Sequence, residues 1–333
     1  MTLQVRKTAV LGARVMGAQI AAHLANANVP VVLFDLTAKE GDPSSVAKKA
    51  IENLKKLSPP PAAVKDRFGY IEPANYDEHL AKLEECELVI EAIAERMDWK
   101  LDLYKRIAPH IAPNVAIASN TSGLSIEEMG EALPENLRSR FCGVHFFNPP
   151  RYMTLIEIIP VAATDPKLVD DLESFLTTTL GKGVVRAFDT PNFIANRVGV
   201  FSLLAVMHHT QSLNLTFDEA DAVTGPLIGR ATSATFRTSD VVGLDTMAHV
   251  VRTMKDRLPD DPWHKYYEVP AYVTALIHRG ALGQKSGAGL YRREGKEIKV
   301  LDVTTQDYVP SVAKVDPDVE NSSSRTPPRN SLG

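Results

Sequence analysis

Six short apolar runs recur through the first half of the chain: Thr8–Leu11, Val31–Phe34, Leu88–Ile90, Val115–Ala118, Phe141–Phe147 and Leu155–Ile159. Between several of them lie stretches such as Ser44–Leu57 and Trp99–Ile107, whose apolar residues fall at i, i+3, i+4 and i+7, the period of a helix with one buried face. This alternation leaves few architectures open. Parallel strands need long crossovers, the crossovers are helices, and the helices cover both faces of the sheet. The pattern predicts an α/β domain with a mostly parallel sheet.

Beyond Asp189-Thr190-Pro191 the texture changes to longer helical patterns at Phe193–Gln211, Phe217–Val223 and Pro270–Arg279, with few strand signals. The expected organisation is a sheet domain over residues 1–188, a helical domain over 189–300 that closes over the strand ends, and an extended linker with a disordered tail over 301–333. The tail NSSSRTPPRNSLG is polar, Pro-containing and aperiodic, as disordered segments are. VPSVAKVDPDVE, just before it, reads as the approach to another domain, so the chain is expected to be a fragment of a longer protein.

The length, 333 residues, suits two domains, and 44% hydrophobic with 23% charged residues is a globular composition. A net charge of −4 gives no electrostatic reason to bind nucleic acid or an anionic membrane. Only Cys86 and Cys142 are present, so no disulfide framework is implied. No run of 18 apolar residues marks a membrane span, and the first strand begins too early for a leader peptide. The expected location is the cytoplasm.

The first apolar run leads into VLGARVMGAQIA, Val10 to Ala21. Gly12 and Gly17 stand where the first and third glycines of a G-x-G-x-x-G dinucleotide-binding turn belong, and Arg14 occupies the middle one. The stretch follows a strand and opens an Ala-rich helix, and Asp35 ends the next strand, 23 residues after Gly12. An acid there suits the ribose 2′-hydroxyl of NAD and repels the 2′-phosphate of NADP. The pyrophosphate is expected at the helix N-terminus, near the N–H groups of the first turn at Val15 and Met16. A side chain at the middle position crowds the ligand. Overpacking of that kind costs roughly 1–3 kcal/mol, about ten- to hundredfold in affinity. An arginine offsets part of this where it pairs with a phosphate. Weakened NAD binding is one reading, and a vestigial loop is the other.

The strongest catalytic signal is GVHFFNPPRYMTLIEII, Gly143 to Ile159. His145 ends one apolar run and Glu157, 12 residues on, lies inside the next. Adjacent strands with that connection bring the carboxylate to one ring nitrogen and leave the other as a base near neutral pH. The same pair also occurs as a purely structural contact. SNTSGLS (Ser119–Ser125) and DTPNFIANR (Asp189–Arg197) offer hydroxyl and amide groups nearby in the expected fold.

Taken together, GARVMG, VIEAIAERMDWK, SNTSGLS, HFFNP, DTPNFIANR, DVVGLDT and LGQKSGAGLY resemble the L-3-hydroxyacyl-CoA dehydrogenase family over about residues 5 to 295. The wording is similar to the dehydrogenase part of bacterial bifunctional proteins in which an enoyl-CoA hydratase accompanies it. The resemblance implies a Rossmann-type NAD domain, a helical domain that commonly dimerises, an acyl-CoA thioester as substrate and a fused hydratase as partner. It implies His145 as general base, Glu157 as its orienting partner, Ser122 on the substrate oxygen and Asn196 supporting the thioester. For NAD it implies Asp35, Glu95, Lys100, Ser122, Asn148 and Lys285. The chain departs from the family pattern at Arg14, at Asn192, where many relatives have glycine, and at Ala231, where proline is expected.

Other features carry bland readings. Cys142, inside an apolar strand, reads as core. Ser122 lacks the G-x-S-x-G elbow of a hydrolase nucleophile. Lys48, Lys49, Lys55 and Lys56 form either a coenzyme A phosphate contact, with Lys55 and Lys56 as candidate substrate ligands, or a solvated face. His208 and His209 have no partners at metal-ligand spacing, and Trp99 and Trp263 point to no site. Two rival functions remain open: a dehydrogenase of a free hydroxy or sugar acid, and a non-catalytic assembly or binding domain.

Overall fold

The computed structural model describes residues 3–312 and 314. The chain divides into two compact units, Met1–Ile194 and Ala195–Gly333.

The first unit is built on one eight-stranded sheet. Its strands are β1 (Thr8–Leu11), β2 (Val31–Asp35), β3 (Ile71–Asn75), β4 (Leu88–Glu91), β5 (Ala116–Ser119), β6 (Phe141–Phe146), β7 (Leu155–Ile159) and β8 (Gly183–Arg186). They lie in the order β3-β2-β1-β4-β5-β6-β7-β8, all parallel to their neighbours except the antiparallel pair β6–β7. Six helices complete the unit: α1 (Val15–Asn26), α2 (Ser45–Leu54), α3 (Met97–Ile107), α4 (Ile126–Glu131), α5 (Glu135–Arg138) and α6 (Pro166–Thr178).

Side-chain alternation sends Val10, Leu33, Ile90 and Val144 to one face, where they pack with Ile20, Leu24, Ile51 and Leu172 of α1, α2 and α6. Leu11, Phe34, Val89 and Phe141 go to the other, against Leu103, Ile107, Ile126 and Met129 of α3 and α4. A central strand buried on both faces has no polar side, which is why β1 reads as an unbroken apolar run.

Two strands and three helices of this unit, α4, α5 and α6, fall outside the runs and stretches read from the sequence. β3 is an edge strand, IEPAN, whose Pro73 is tolerated because that edge needs no donor. β8, GVVR, is the opposite edge and mostly exposed. α6 had a readable start, since the Asp165 side chain accepts from Lys167 N–H and Pro166 sits in the first turn.

The second unit contains α7 (Ala195–Ser212), α8 (Phe217–Thr224), α9 (Phe236–Val242), α10 (Leu244–Arg257) and α11 (Ala271–His278). A three-stranded antiparallel sheet joins them: β9 (Tyr291–Glu294), β10 (Glu297–Leu301) and β11 (Tyr308–Pro310). The helical domain is present, but the linker expected from residue 301 is instead partly strand. Leu290, Tyr291, Val300 and Leu301 are buried in the helical core, and Tyr308 donates its hydroxyl proton to the Gly289 carbonyl at 2.5 Å. The polar tail expected over the last residues lies outside those described. Among the described residues no helix is long and apolar enough to cross a membrane.

Candidate active site

β1 is flanked by β2 on one side and β4 on the other, so the chain direction across the sheet reverses there, and open α/β sheets bind ligands in the crevice beyond such a point. The turn from β1 into α1 fills that position. Gly12 has φ +102°, and a Cβ on it would lie 2.8 Å from the Ala92 carbonyl oxygen. A Cβ on Gly17 would lie 1.8 Å from the carbonyl oxygen of Gly12, so this glycine lets the first turn of α1 close onto the loop. Asp35, ending β2, accepts the Ala13 N–H through Oδ2 at 2.7 Å and the Leu36 N–H through Oδ1 at 2.7 Å. Its carboxylate is thereby fixed at the mouth of the crevice.

Arg14 is the N-cap residue of α1, with φ −74° and ψ −169°. That backbone is ordinary for an L residue, so the arginine strains nothing in the loop itself; any crowding falls on the ligand. Its side chain is exposed, and no hydrogen bond or ion pair joins it to another described residue. Arg14 lines a cavity of about 380 Å³ together with Gly12, Asp35, Leu36, Trp99 and Arg106. Val15 is exposed beside it and Met16 half-buried. Trp99, which the sequence left without a role, is 47% exposed and forms part of this wall. The Arg96 guanidinium stands 4.5 Å from its ring centroid. Nothing in the residue pattern marks this tryptophan, because its neighbours in the cavity come from four separate strand ends.

Lys100 was expected at the cofactor, and the structure encloses it. It is fully buried, with Nζ 2.7 and 2.8 Å from the two oxygens of Glu91 and 3.7 Å from Glu95 Oε2. Glu91 also accepts from the Ser119 hydroxyl, the Tyr104 hydroxyl and the Ile93 N–H. The ammonium is thus enclosed by two carboxylates, Glu91 at hydrogen-bond distance and Glu95 beyond it. Glu95 carries the contact onward. Its Oε1 accepts from the Thr121 hydroxyl at 2.6 Å, the Ser122 N–H at 2.8 Å and the Gly123 N–H at 3.2 Å. The Ser122 side chain is left exposed beyond β5.

His145 and Glu157 are directly paired in the β6–β7 register, on the same face of the sheet. Nδ1 lies 2.8 Å from Glu157 Oε2, and both residues are buried. A carboxylate at Nδ1 selects the tautomer that donates from Nδ1 and leaves Nε2 with a lone pair. Glu157 Oε1 accepts the Ile194 N–H at 2.9 Å, which holds the carboxylate from behind. Phe147 and Phe193 flank the imidazole, with ring centroids 4.5 and 5.7 Å away. Asn120, after β5, accepts the Phe146 N–H at 2.8 Å and pins the two strand ends together. Asn148 accepts from Gln19 Nε2 of α1 at 3.0 Å, so its amide faces the helix of the glycine turn.

The SNTSGLS and DTPNFIANR motifs are partly committed to each other. Asp189 Oδ2 accepts from the Ser125 hydroxyl and the Glu127 N–H, both at 2.9 Å. Asn192 has φ +62°, a left-handed position that glycine fills at no cost and asparagine tolerates best among side chains, which accounts for the exchange at this site. Asn196 and Lys285 belong to the second unit. Asn196 is half-buried in the first turn of α7, and Lys285 Nζ pairs with Asp245 at 2.6 and 2.7 Å. Ala231 lies in the turn between α8 and α9.

Of the basic candidates, Lys55 pairs with Glu52 at 2.5 Å, and Lys56 makes no ion pair among the described residues. Cys142 is core, and burial pushes its thiol up to about 12. Among the described residues Ser122 makes no hydrogen bond to His145, and no group of three metal-ligating side chains converges.

A glycine turn at the point where the sheet order reverses, with a fixed acid at the end of β2, defines a Rossmann-type dinucleotide-binding protein. Residues 7–190 match the family described as 3-hydroxyacyl-CoA dehydrogenase, NAD binding domain, and residues 193–293 match its C-terminal domain. The chain belongs to the 3-hydroxyacyl-CoA dehydrogenase family. It is 41% identical over 319 residues to a "Probable 3-hydroxyacyl-CoA dehydrogenase" of Bacillus subtilis, covering 91% of this chain and 40% of that protein. It is 31% identical over 333 residues to a "Fatty acid oxidation complex subunit alpha" of Psychrobacter cryohalolentis, covering 94% of this chain and 43% of that one. The chain thus spans about two fifths of the length of both relatives. Among solved structures, FadB2 of M. tuberculosis superposes with a TM-score of 0.73 at 28% identity, covering 87% of this chain and 99% of that one. The cofactor of the family's first domain is NAD, and the cradle formed by Gly12, Gly17 and Asp35 fits it.

Proposed function

We propose that this chain oxidises L-3-hydroxyacyl-CoA thioesters to 3-oxoacyl-CoA with NAD, as in fatty-acid β-oxidation. The observation that carries the reading is the buried His145–Glu157 pair, held at 2.8 Å across β6 and β7. NAD, which Gly12, Gly17 and Asp35 would hold, would supply the acceptor for the hydride leaving C3 of the substrate. His145 Nε2 removes the 3-hydroxyl proton, and Glu157, close to Nδ1, stabilises the imidazolium that forms. Ser122 hydrogen-bonds the substrate oxygen from the loop that Glu95 holds, and Asn196 supports the thioester. Arg14 would lie at the pyrophosphate, and Asn148 would contribute to holding NAD.

An enoyl-CoA hydratase, fused or associated, is the partner this reading expects. The extra length of the oxidation-complex relative supports it. The test is NADH oxidation with acetoacetyl-CoA. His145→Ala lowers kcat by roughly 10²–10⁴ while leaving NADH affinity unchanged; undiminished turnover would remove His145 from the mechanism. Equal rates with a free 3-oxo acid would remove the thioester from it.

A further inference from the structure

The turn between His145 and Glu157 is fastened from the side by a buried cation. Lys182 follows α6 and immediately precedes β8; its backbone N–H is held by the Leu176 carbonyl at 3.0 Å, and the residue is 6% exposed. Its ammonium donates to two carbonyls of one turn, that of Pro150 and, at 2.8 Å, that of Met153. Next to it, the Gly183 N–H is donated to the Thr154 carbonyl at 2.9 Å. No carboxylate pairs with Lys182 among the described residues, and burial lowers its pKa. The neighbouring His23, whose imidazole is neutral or cationic, adds no compensating negative charge.

An ammonium buried without a counter-ion is costly, and its bonds to carbonyls are correspondingly strong. A fastening that served stability alone would be met more cheaply by a neutral donor or an apolar residue. The two carbonyls converge on one point, so Lys182 dictates the path of residues 150–153. That path sets how β6 and β7 leave the turn, and a β-hairpin takes its register from its connection. The His145–Glu157 bond exists only in the register that places the two residues opposite each other. Gln19 fastens the same turn to α1 through Asn148, and Arg151 fastens it to the carbonyls of Pro60 and Ala62. Gln19 is neutral and Arg151 half-exposed, whereas Lys182 is both charged and enclosed.

We infer that Lys182 is a positioning residue for the catalytic pair: its ammonium holds the β6–β7 turn so that Glu157 stays aligned with His145. The inference rests on the proposed role of that pair. Lys182→Met and Lys182→Gln, confirmed as folded by near-UV circular dichroism, are compared with His145→Ala for acetoacetyl-CoA reduction and for direct NADH binding. Lys182→Met lowers kcat at least tenfold with NADH Kd within twofold. Lys182→Gln, which keeps one neutral donor, lowers kcat about threefold or more with NADH Kd again within twofold. A loss confined to thermal stability, with kcat unchanged in the folded variants, overturns the inference. Should Lys182→Met not fold, Lys182→Gln decides by the same readings. An active His145→Ala would instead overturn the catalytic reading beneath it.

Discussion

Glu157 Oε2 stands 2.8 Å from His145 Nδ1 because the two residues are register partners in the one antiparallel pair of an otherwise parallel sheet. A hairpin brings residues 12 apart to the same face of adjacent strands, which a parallel crossover of that length could not do. A carboxylate in this position stabilises the imidazolium that forms when the ring takes the substrate proton. Glu157→Gln keeps the shape and removes that charge, and therefore lowers kcat by about tenfold or more. Undiminished initial rates in the folded variant would show that Glu157 does not support His145.

At the glycine turn, size and charge can be separated. Arg14→Gly relieves the crowding and tightens NADH binding by about tenfold or more, the lower end of a roughly 1–3 kcal/mol overpacking cost. Arg14→Met keeps the bulk and removes the charge, so it binds NADH more weakly than the parent chain. Calorimetry on the three proteins checks both. Equal affinity across them would mean that Arg14 neither crowds nor contacts the cofactor.

Trp99 forms a half-exposed wall of the cavity that holds Asp35 and Arg14. One ring face is occupied by Arg96, and an aromatic contact is worth about 0.5–1.5 kcal/mol beyond area burial. Trp99→Ala weakens ADP binding about three- to tenfold and leaves nicotinamide mononucleotide binding unchanged. Tryptophan fluorescence quenching by ADP is lost with it; persistent quenching in the variant would point away from Trp99.

His23, on α1, gives the stability a pH dependence. Burial, reinforced by the Lys182 charge, lowers its pKa from 6.5 to about 4. The folded state thus keeps the ring neutral where the unfolded chain protonates it. This contribution is complete above pH 6.5 and is lost as pH falls from 6.5 towards 4, up to about 3 kcal/mol by linkage. In urea titrations His23→Leu flattens the fall in stability over that window. An equal fall in the variant would assign the dependence to other groups.

The local features were legible because each is written in consecutive residues. β1 and β7 run over the residues their apolar patterns indicate, and the Gly12–Gly17 turn with Asp35 follows from spacing. Edge strands were not legible in the same way. Pro73 in β3 and the exposed β8 break the apolar run, because an edge strand is buried on fewer sides. The β9–β11 sheet hides for a related reason: Tyr291, Val300 and Leu301 are the few buried residues of β9 and β10, and charged residues fill most of the rest.

Residue order alone determined the alternating α/β scaffold, the place of the dinucleotide turn and the identity of the His145–Glu157 pair, since periodicity and glycine sterics act over short distances. Only the tertiary structure decided the fate of the long charged side chains. Lys100 is closed off between Glu91 and Glu95, Lys182 reaches carbonyls about thirty residues back, and Arg14 is left free at the cavity. All three are flexible cations whose position depends on which acceptors the fold delivers to them. A buried charge is stable only where distant segments supply its partners, and no local pattern records that meeting.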